Sequence, residues 1–279
     1  MSYKSILVHL DQSERCAQRI DLAAKLALDF DAHLIGLAVA WAPAMPGQVR
    51  LELGEERMER FSRARHEIAE AIGAEFERRA ASVGVTKLET RIADMPSEDA
   101  VCLHGRYVDL IVLGQSDPDD DSLPEGESFP ELVVLRCGRP VLVVPYCGSF
   151  PNVGHNVLLA WNASREATRA ATDAVPLLQR AHKVSVYVAK SEETYDGHGE
   201  APGADMALYL SRHGVKAEAV RSHPGDIDVG NWLLSRAADN DADLIVMGAY
   251  GHSRLRELVL GGVTRTLFKH MTVPLLMAH

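Results

Sequence analysis

The sequence repeats one pattern twice, and this internal duplication constrains the fold more than any other feature. Residues 6–14 (ILVHLDQSE) resemble residues 157–165 (VLLAWNASR), so an apolar run, a polar residue and a serine recur after 151 residues. Residues 109–114 (DLIVLG) match residues 243–248 (DLIVMG) more closely still. In both halves a proline follows the last glycine of this match by 26 residues. A period this long exceeds that of solenoid repeats and indicates two copies of one whole domain.

We therefore predict two domains, at residues 1–150 and 151–279, joined by a short segment rich in Gly, Pro, Ser and Asn. A length of 279 residues is sufficient for two domains with separate cores. Hydrophobic residues make up 47% and charged residues 24% of the chain. This composition is typical of globular domains and excludes collagen-like, coiled-coil and wholly disordered chains.

Within each half, apolar runs alternate with amphipathic stretches, which predicts an α/β fold with a parallel sheet and right-handed crossovers. The expected strands lie near 5–10, 33–40, 86–92, 108–113 and 140–145, and near 156–161, 183–189, 215–221, 243–247 and 273–277. The expected helices lie near 14–30, 55–82 and 97–105, and near 165–179, 203–213, 226–240 and 262–270. The runs LIVLG and LIVMG lack polar alternation, as expected for central strands covered on both faces.

Charge and apolar run length set the expectations for location and partners. The formal net charge of -10 disfavours binding to nucleic acid or to an anionic membrane. No apolar run reaches the roughly 20 residues of a membrane helix, and the first residues show no signal-peptide pattern, so we expect a cytoplasmic protein. Four scattered cysteines are expected to be reduced structural thiols, and twelve histidines show no metal-site spacing.

A glycine-rich loop in the second half is the strongest candidate for a ligand site. It follows the predicted fourth strand with the spacing G-x2-G-x9-G-G-V-T, formed by Gly248, Gly251, Gly261, Gly262, Val263 and Thr264. Glycines allow the backbone to approach a ligand closely, and the start of the next helix favours an anion such as phosphate. Thr264 and His252 add a hydroxyl and an imidazole. The alternative is that these glycines only permit a turn and close packing.

These motifs, together with the C-terminal run ADLIVMGAYGHSRLRELVLGGVTRTLFKHMTVPLLM, resemble the universal stress protein family in its tandem two-domain form. The resemblance covers essentially the whole chain. It implies two flavodoxin-like or Rossmann-like domains, each with a five-stranded parallel sheet and helices on both faces. It also implies that the fifth strands, Val141–Pro145 and Pro274–Ala278, join the halves as an internal pseudo-dimer. A homodimer of whole chains is left open.

Some family members bind ATP or AMP through the G-x2-G-x9-G motif followed by Ser or Thr, and this resemblance supplies the candidate site. The expected ligand is therefore ATP or AMP, with Mg²⁺. The residues of the site are Asn162, Ser164, a backbone group at Val188, Gly248, Gly251, His252, Gly261, Gly262, Val263 and Thr264. Gly262 stands where the family has Ser or Thr, and one lost hydroxyl contact is worth about 1 kcal/mol. Asn162 replaces an aspartate but keeps an acceptor oxygen and adds donors. Trp161 either stacks on adenine or packs the strand end.

The first half departs further from the motif and is predicted to be a degenerate domain that does not bind nucleotide phosphate. By the constant spacing, Asp117 and Glu127 stand where the second half has Gly251 and Gly261. An acidic loop repels phosphate, and a solvated loop is preferred over a Ca²⁺ site because the EF-hand pattern is missing. We expect Ser13 to cap the helix that follows it.

Three functions remain open at this point. The first is a stress-response protein that binds an adenine nucleotide in its second half as a regulatory ligand. The second is a non-catalytic dimerisation or interaction module. The third is a weak ATPase, although the sequence has no Walker lysine and no convincing base or nucleophile. We expect no catalytic residues and no metal site.

Overall fold

The computed structural model of the chain describes residues 2–41, 47–120, 128–188, 203–250 and 262–279, with residues 47–53 described by backbone alone. Two compact units form, Tyr3–Cys137 and Gly138–His279, which we call the N-terminal and C-terminal units. The domain boundary near residue 150 stays a prediction.

The N-terminal unit alternates strands and helices from its first strand onward. Its described elements are β1 (Ser5–Leu10), α1 (Cys16–Phe30), β2 (His33–Val39), α2 (Gly47–Ser82), β3 (Leu88–Ala93), α3 (Ser97–Gly105), β4 (Leu110–Gly114) and α4 (Phe129–Arg136). These strands pair in parallel in the order β3-β2-β1-β4. The carboxyl ends of β1 and β4 therefore lie side by side, at the kind of position where open α/β sheets bind ligands.

The C-terminal unit follows the same plan with one added strand. Its described elements are β5 (Val141–Val144), β6 (Asn156–Ala160), α5 (Arg165–Leu178), β7 (Lys183–Tyr187), α6 (Ala204–Arg212), β8 (Ala217–Val220), α7 (Val229–Asp239), β9 (Leu244–Gly248), α8 (Gly262–His270) and β10 (Leu275–Ala278). The strand order is β5-β10-β9-β6-β7-β8. β5 pairs antiparallel with β10, with Leu142 opposite Leu276, so the two fifth strands of the repeat contact each other as expected.

The α/β fold with mostly parallel strands confirms the prediction from the sequence, and the elements lie near their expected bounds. Two details differ. Helix α2 begins at Gly47 rather than near residue 55, with a break in helical geometry at Gly54, where φ is 74°. Helix α4 was not predicted, because it has only 8 residues after an acidic segment and carries Pro130 in its first turn. A helix accepts proline at that position, since the first N–H groups have no partner within the helix.

A duplicated carboxylate fixes the first strand of each unit beside the fourth. Asp109, just before β4, accepts hydrogen bonds from the backbone N–H groups of Lys4 (2.7 Å) and Ser5 (3.0 Å). Asp243, just before β9, accepts from the N–H groups of Gly154 and Asn156 at the start of β6. The carboxyl ends of these strand pairs are thereby held in register, which positions the sites described next.

Candidate functional site

A cavity of about 330 Å³ lies at the carboxyl ends of β6 and β9 in the C-terminal unit. It is lined by residues from both strand ends, from β7 and from the helices α7 and α8. The lining comprises Ala160, Trp161, Asn162, Tyr187, Val229, Leu233, Met247, Gly248, Tyr250, Gly262, Val263 and Thr264. Five candidate residues predicted from the sequence therefore come together here: Asn162, Gly248, Gly262, Val263 and Thr264.

The first turn of α8 lines one side of the cavity. Helix α8 begins at Gly262, has no acidic residue in its first turn and carries Lys269 and His270 in its last. A helix start with free N–H groups and this dipole favours a negative group. Among the described residues, no atom lies within 4 Å of a Cβ added at Gly262, so their packing does not require glycine there. Thr264 is buried, at 3% exposure, and lines the same wall.

Gly248 has a structural role in addition to lining the cavity. A Cβ at this position would lie 2.5 Å from the carbonyl carbon of Glu166 and 2.9 Å from the Cα of Ala167. Both atoms belong to the backbone at the start of α5, which therefore packs directly on the end of β9. Gly248 thus permits close packing between β9 and α5, which was the alternative role considered for the glycines of the motif.

Asn162 and Ser164 organise the turn that leads from β6 into α5. The Asn162 Oδ1 accepts from the Ser164 backbone N–H at 3.1 Å, and Ala163 between them has a φ of 55°. The Ser164 Oγ accepts from the Ala167 N–H at 3.1 Å and so caps α5. Asn162 lines the cavity and is exposed to solvent, whereas Ser164 caps α5 and is not among the lining residues.

The remaining candidate positions are Val188, Gly251, His252 and Gly261. Val188 follows β7 directly and is buried at 7% exposure, and its neighbour Tyr187 contributes to the lining instead. Gly251, His252 and Gly261 lie outside the described residues, so their placement stays a prediction.

Aromatic and apolar side chains form the opposite wall of the cavity. Tyr187 is held by a hydrogen bond from the Asn240 Nδ2 to its hydroxyl, at 2.9 Å, and by an edge contact with Trp232 at 5.7 Å between ring centroids. Trp161 follows the end of β6, and its backbone N–H donates a hydrogen bond to the Tyr187 backbone carbonyl at 2.8 Å. Among the lining residues that the structure describes, none is a Lys, Arg, His, Asp or Glu.

The equivalent strand ends of the N-terminal unit carry a buried ion pair. The Arg19 Nη2 donates to the Asp11 Oδ2 at 2.5 Å, and the Arg19 Nε donates to the His9 carbonyl at 2.9 Å. Burial works to raise the pKa of Asp11, but Arg19, His9 and the bonds from Ser13 outweigh it and lower that pKa. A Cβ at Gly114, which ends β4, would lie 3.4 Å from the Arg19 Cζ, so glycine leaves room for the guanidinium.

Ser13 does not cap α1, contrary to the prediction from the sequence. Helix α1 begins at Cys16 with Arg15 at its cap position and no side-chain cap bond. The Ser13 Oγ instead donates to the Asp11 Oδ1 at 2.5 Å. The hydroxyl is turned toward Asp11 because that carboxylate, unlike the amide oxygen of Asn162, bears a full negative charge.

The described ranges hold no cluster of three or more His, Cys, Asp or Glu side chains able to bind a metal ion. None of their helices has the length and apolar character of a membrane span. Residues 121–127 of the acidic loop lie outside these ranges.

Comparison with known proteins identifies the family. The sequence model of the universal stress protein family matches residues 2–145 and again residues 154–279. The chain therefore belongs to the universal stress protein family and contains two tandem family domains.

Individual relatives agree with this assignment. The structure of a universal stress protein from Archaeoglobus fulgidus DSM 4304 is similar with a TM-score of 0.75 and 16% identity, over 98% of this chain and 97% of that one. A solved protein from Pseudomonas aeruginosa UCBPP-PA14 that carries the same family name gives a TM-score of 0.60 at 14% identity, over 99% and 93%. At such identities the likeness shows the fold alone. A curated universal stress protein of Synechocystis sp. is 47% identical over 38 residues, which span 14% of this chain and only 13% of that relative.

Proposed function

We propose that the C-terminal unit binds an adenine nucleotide, ATP or AMP, as the regulatory ligand of a cytoplasmic stress-response protein. The observation that carries this proposal is the 330 Å³ cavity, which joins the end of β6 to the first turn of α8. The cavity combines an apolar and aromatic wall, an exposed amide and the start of a helix. These three features complement the base, the polar edge of the base or sugar, and the phosphate of a nucleotide.

Each part of a nucleotide has a counterpart in this cavity. Trp161 and Tyr187 offer aromatic surface to the base. Asn162 offers an amide with both donors and an acceptor to the ribose or the base edge. The backbone N–H groups of Gly262 and Val263, at the start of α8, would bind the phosphates. Since the described lining holds no carboxylate, Mg²⁺ would be held by the phosphates that bring it, as in many nucleotide sites.

A thermal-shift titration tests the proposal directly. A ligand that binds only the folded chain raises stability with its concentration, by about 2.7 kcal/mol at a hundredfold excess over Kd. We expect AMP or ATP–Mg²⁺ to raise the Tm by several degrees, and guanosine nucleotides to raise it less. No shift with any nucleotide at millimolar concentration would contradict the proposal.

Restoring the hydroxyl that the family motif carries should tighten binding. Gly262→Ser adds a donor at the start of α8, where no atom of the described residues lies within 4 Å of an added Cβ. We expect nucleotide affinity to rise about fivefold, the equivalent of about 1 kcal/mol for one neutral hydrogen bond. Gly262→Ala is the matched control for backbone and helix propensity and should leave the Kd unchanged in isothermal titration. Equal affinities for the serine and alanine variants would place the phosphate elsewhere.

We also propose that the nucleotide is a ligand rather than a substrate. The described lining supplies no carboxylate, imidazole or amine to activate water. Phosphate release above that of a Gly261 variant with a bulky side chain would favour the weak ATPase instead.

The pairing of β5 with β10 favours a second candidate function, an interaction module built on an internal pseudo-dimer. β5 lies in the first family match and β10 in the second, and Val143 stands opposite Leu275 in an antiparallel pair. Protein purified free of nucleotide, with no thermal shift on nucleotide addition, would support this function. Sedimentation would then show whether whole chains form a homodimer.

A further inference from the structure

The two units have equivalent strand ends that can be compared residue by residue. β1 and β6 align at an offset of 151 residues, so His9 corresponds to Ala160. β4 aligns with β9, and β5 with β10, at an offset of 134 residues, so Phe129 at the start of α4 corresponds to Val263 in α8. Ala160 and Val263 both line the C-terminal cavity. His9 and Phe129 are thus the N-terminal counterparts of two cavity walls.

In the N-terminal unit these two positions carry rings that pack on each other. The ring centroids of His9 and Phe129 are 4.9 Å apart, with the planes inclined at 46°. The two residues are buried, at 1% and 5% exposure respectively. Alanine and valine at the equivalent positions are much smaller, and there the C-terminal unit has its cavity. The imidazole and the phenyl ring therefore occupy the N-terminal counterpart of this space.

The Asp11 carboxylate also has its hydrogen-bond partners within the chain itself. Asp11 corresponds to Asn162, which is exposed at the rim of the C-terminal cavity. One oxygen of Asp11 accepts from the N–H and the Oγ of Ser13, and the other accepts from Arg19. Both oxygens therefore have donors from the protein, and the Asp11 side chain is only 10% exposed.

We propose that the N-terminal unit contains a self-occupied ligand site, in which His9 and Phe129 fill the counterpart of the space between the end of β6 and the first turn of α8, while Arg19 and Ser13 take the adjacent carboxylate. Opening this pocket would create a site for a neutral purine nucleoside, since the acidic loop still repels phosphate. The proposal takes the C-terminal cavity of the proposed function as its reference, but it does not require that cavity to bind a nucleotide.

This arrangement makes the two units unequal in what they respond to. A soluble ligand cannot stabilise a pocket that is filled by the protein's own rings, because the rings already occupy the space that the ligand would need. The C-terminal unit, with its open cavity, can then couple ligand concentration to its own stability. In the N-terminal unit the His9 and Phe129 rings are packed together and buried without any ligand.

The test replaces the two rings with the residues of the C-terminal unit. His9→Ala combined with Phe129→Val should lower the Tm without ligand and should add one adenosine site per chain to the wild-type stoichiometry in isothermal titration. The added site is counted relative to wild type. The test is therefore informative both if wild type binds one adenosine and if it binds none. A folded double variant with the wild-type stoichiometry would overturn the proposal.

A second aromatic pair of the same unit provides the matched control. The Tyr3 and Phe30 rings have centroids 5.0 Å apart and are buried at 3% and 7% exposure. Tyr3→Ala combined with Phe30→Val should lower the Tm comparably and add no adenosine site. An added site in this control would mean that any aromatic cavity binds adenosine, and would also overturn the proposal.

A single variant keeps the proposal testable if the double variant does not fold. His9→Ala leaves a space of imidazole size beside Phe129, and free imidazole is the probe. We expect added imidazole to raise the Tm of His9→Ala by several degrees more than the Tm of wild type. Equal shifts in the two proteins would contradict a pocket filled by His9.

Discussion

Gly248→Ala should destabilise the C-terminal unit by about 3 kcal/mol, at the upper end of the usual cost of overpacking a core. The added Cβ would meet the backbone of Glu166 and Ala167, at 2.5 and 2.9 Å from the nearest carbon of each, rather than a flexible side chain. This backbone cannot withdraw without loosening the Ser164 cap of α5. In calorimetry the Tm should fall by about 10 °C for a unit of this size.

Gly262→Ala is the control for this substitution because it makes the same chemical change away from any described neighbour. No atom of the described residues lies within 4 Å of a Cβ at Gly262, and alanine is a better helix former than glycine by about 1 kcal/mol in a helix interior. Its Tm should equal or exceed that of wild type. A Gly248→Ala protein as stable as Gly262→Ala would show that α5 does not pack on the end of β9 as described.

Arg19→Met should cost the N-terminal unit about 3–5 kcal/mol, the range for removing one partner of a buried ion pair. Methionine fills part of the same volume but leaves the Asp11 carboxylate without its cation and the His9 carbonyl without the donor at 2.9 Å. The Ser13 bonds to Asp11 remain and keep the turn in place. Chemical denaturation at pH 7 measures the loss.

The pH dependence of this loss identifies its cause. The pKa of Asp11 is lowered in the folded chain, so its contribution to stability is present above the unfolded pKa, about 4, and disappears as the pH falls through the lower folded value. The difference in unfolding free energy between wild type and Arg19→Met should therefore shrink as the pH falls from 7 toward 3. A difference independent of pH would assign the loss to packing alone.

An exposed ion pair of the same unit is the control for Arg19. The Arg136 Nη2 lies 2.6 Å from the Asp99 Oδ1, but the two side chains are 49% and 47% exposed. Since water screens such a pair, Arg136→Met should cost less than about 1 kcal/mol. If Arg136→Met and Arg19→Met lowered the free energy of unfolding by similar amounts, burial would not explain the cost of losing Arg19.

The fold could be predicted from the sequence because the decisive information is local and is given twice. Short apolar runs bounded by glycine and proline locate the strands, and the repeated DLIVLG and DLIVMG runs identify the central ones. Helix α4 was missed because its 8 residues include Pro130 in the first turn. Gly248, Gly262, Val263 and Thr264 were found from the local spacing of the glycine motif, and Asn162 was found from the family resemblance at the end of the first strand.

The rest of the site depends on contacts between segments far apart in the chain. Tyr187, Val229 and Leu233 line the cavity because β7 and α7 approach the strand ends in three dimensions, which no local pattern encodes. The pairing of His9 with Phe129 joins residues at opposite ends of the N-terminal unit. Ser13 and Ser164 occupy matching sequence positions but differ in role, because Asp11 and Asn162 beside them differ in charge.

We expect one open nucleotide site per chain, in the C-terminal unit, while the protein's own side chains fill the equivalent site of the N-terminal unit. Denaturing freshly purified protein and quantifying the released nucleotide by mass spectrometry tests this expectation most directly. We predict about one adenine nucleotide per chain, and adding ATP–Mg²⁺ to stripped protein should restore the same stoichiometry. Two nucleotides per chain would contradict the filled N-terminal site. No nucleotide, together with no thermal shift at millimolar ATP–Mg²⁺, would contradict nucleotide binding by the C-terminal unit.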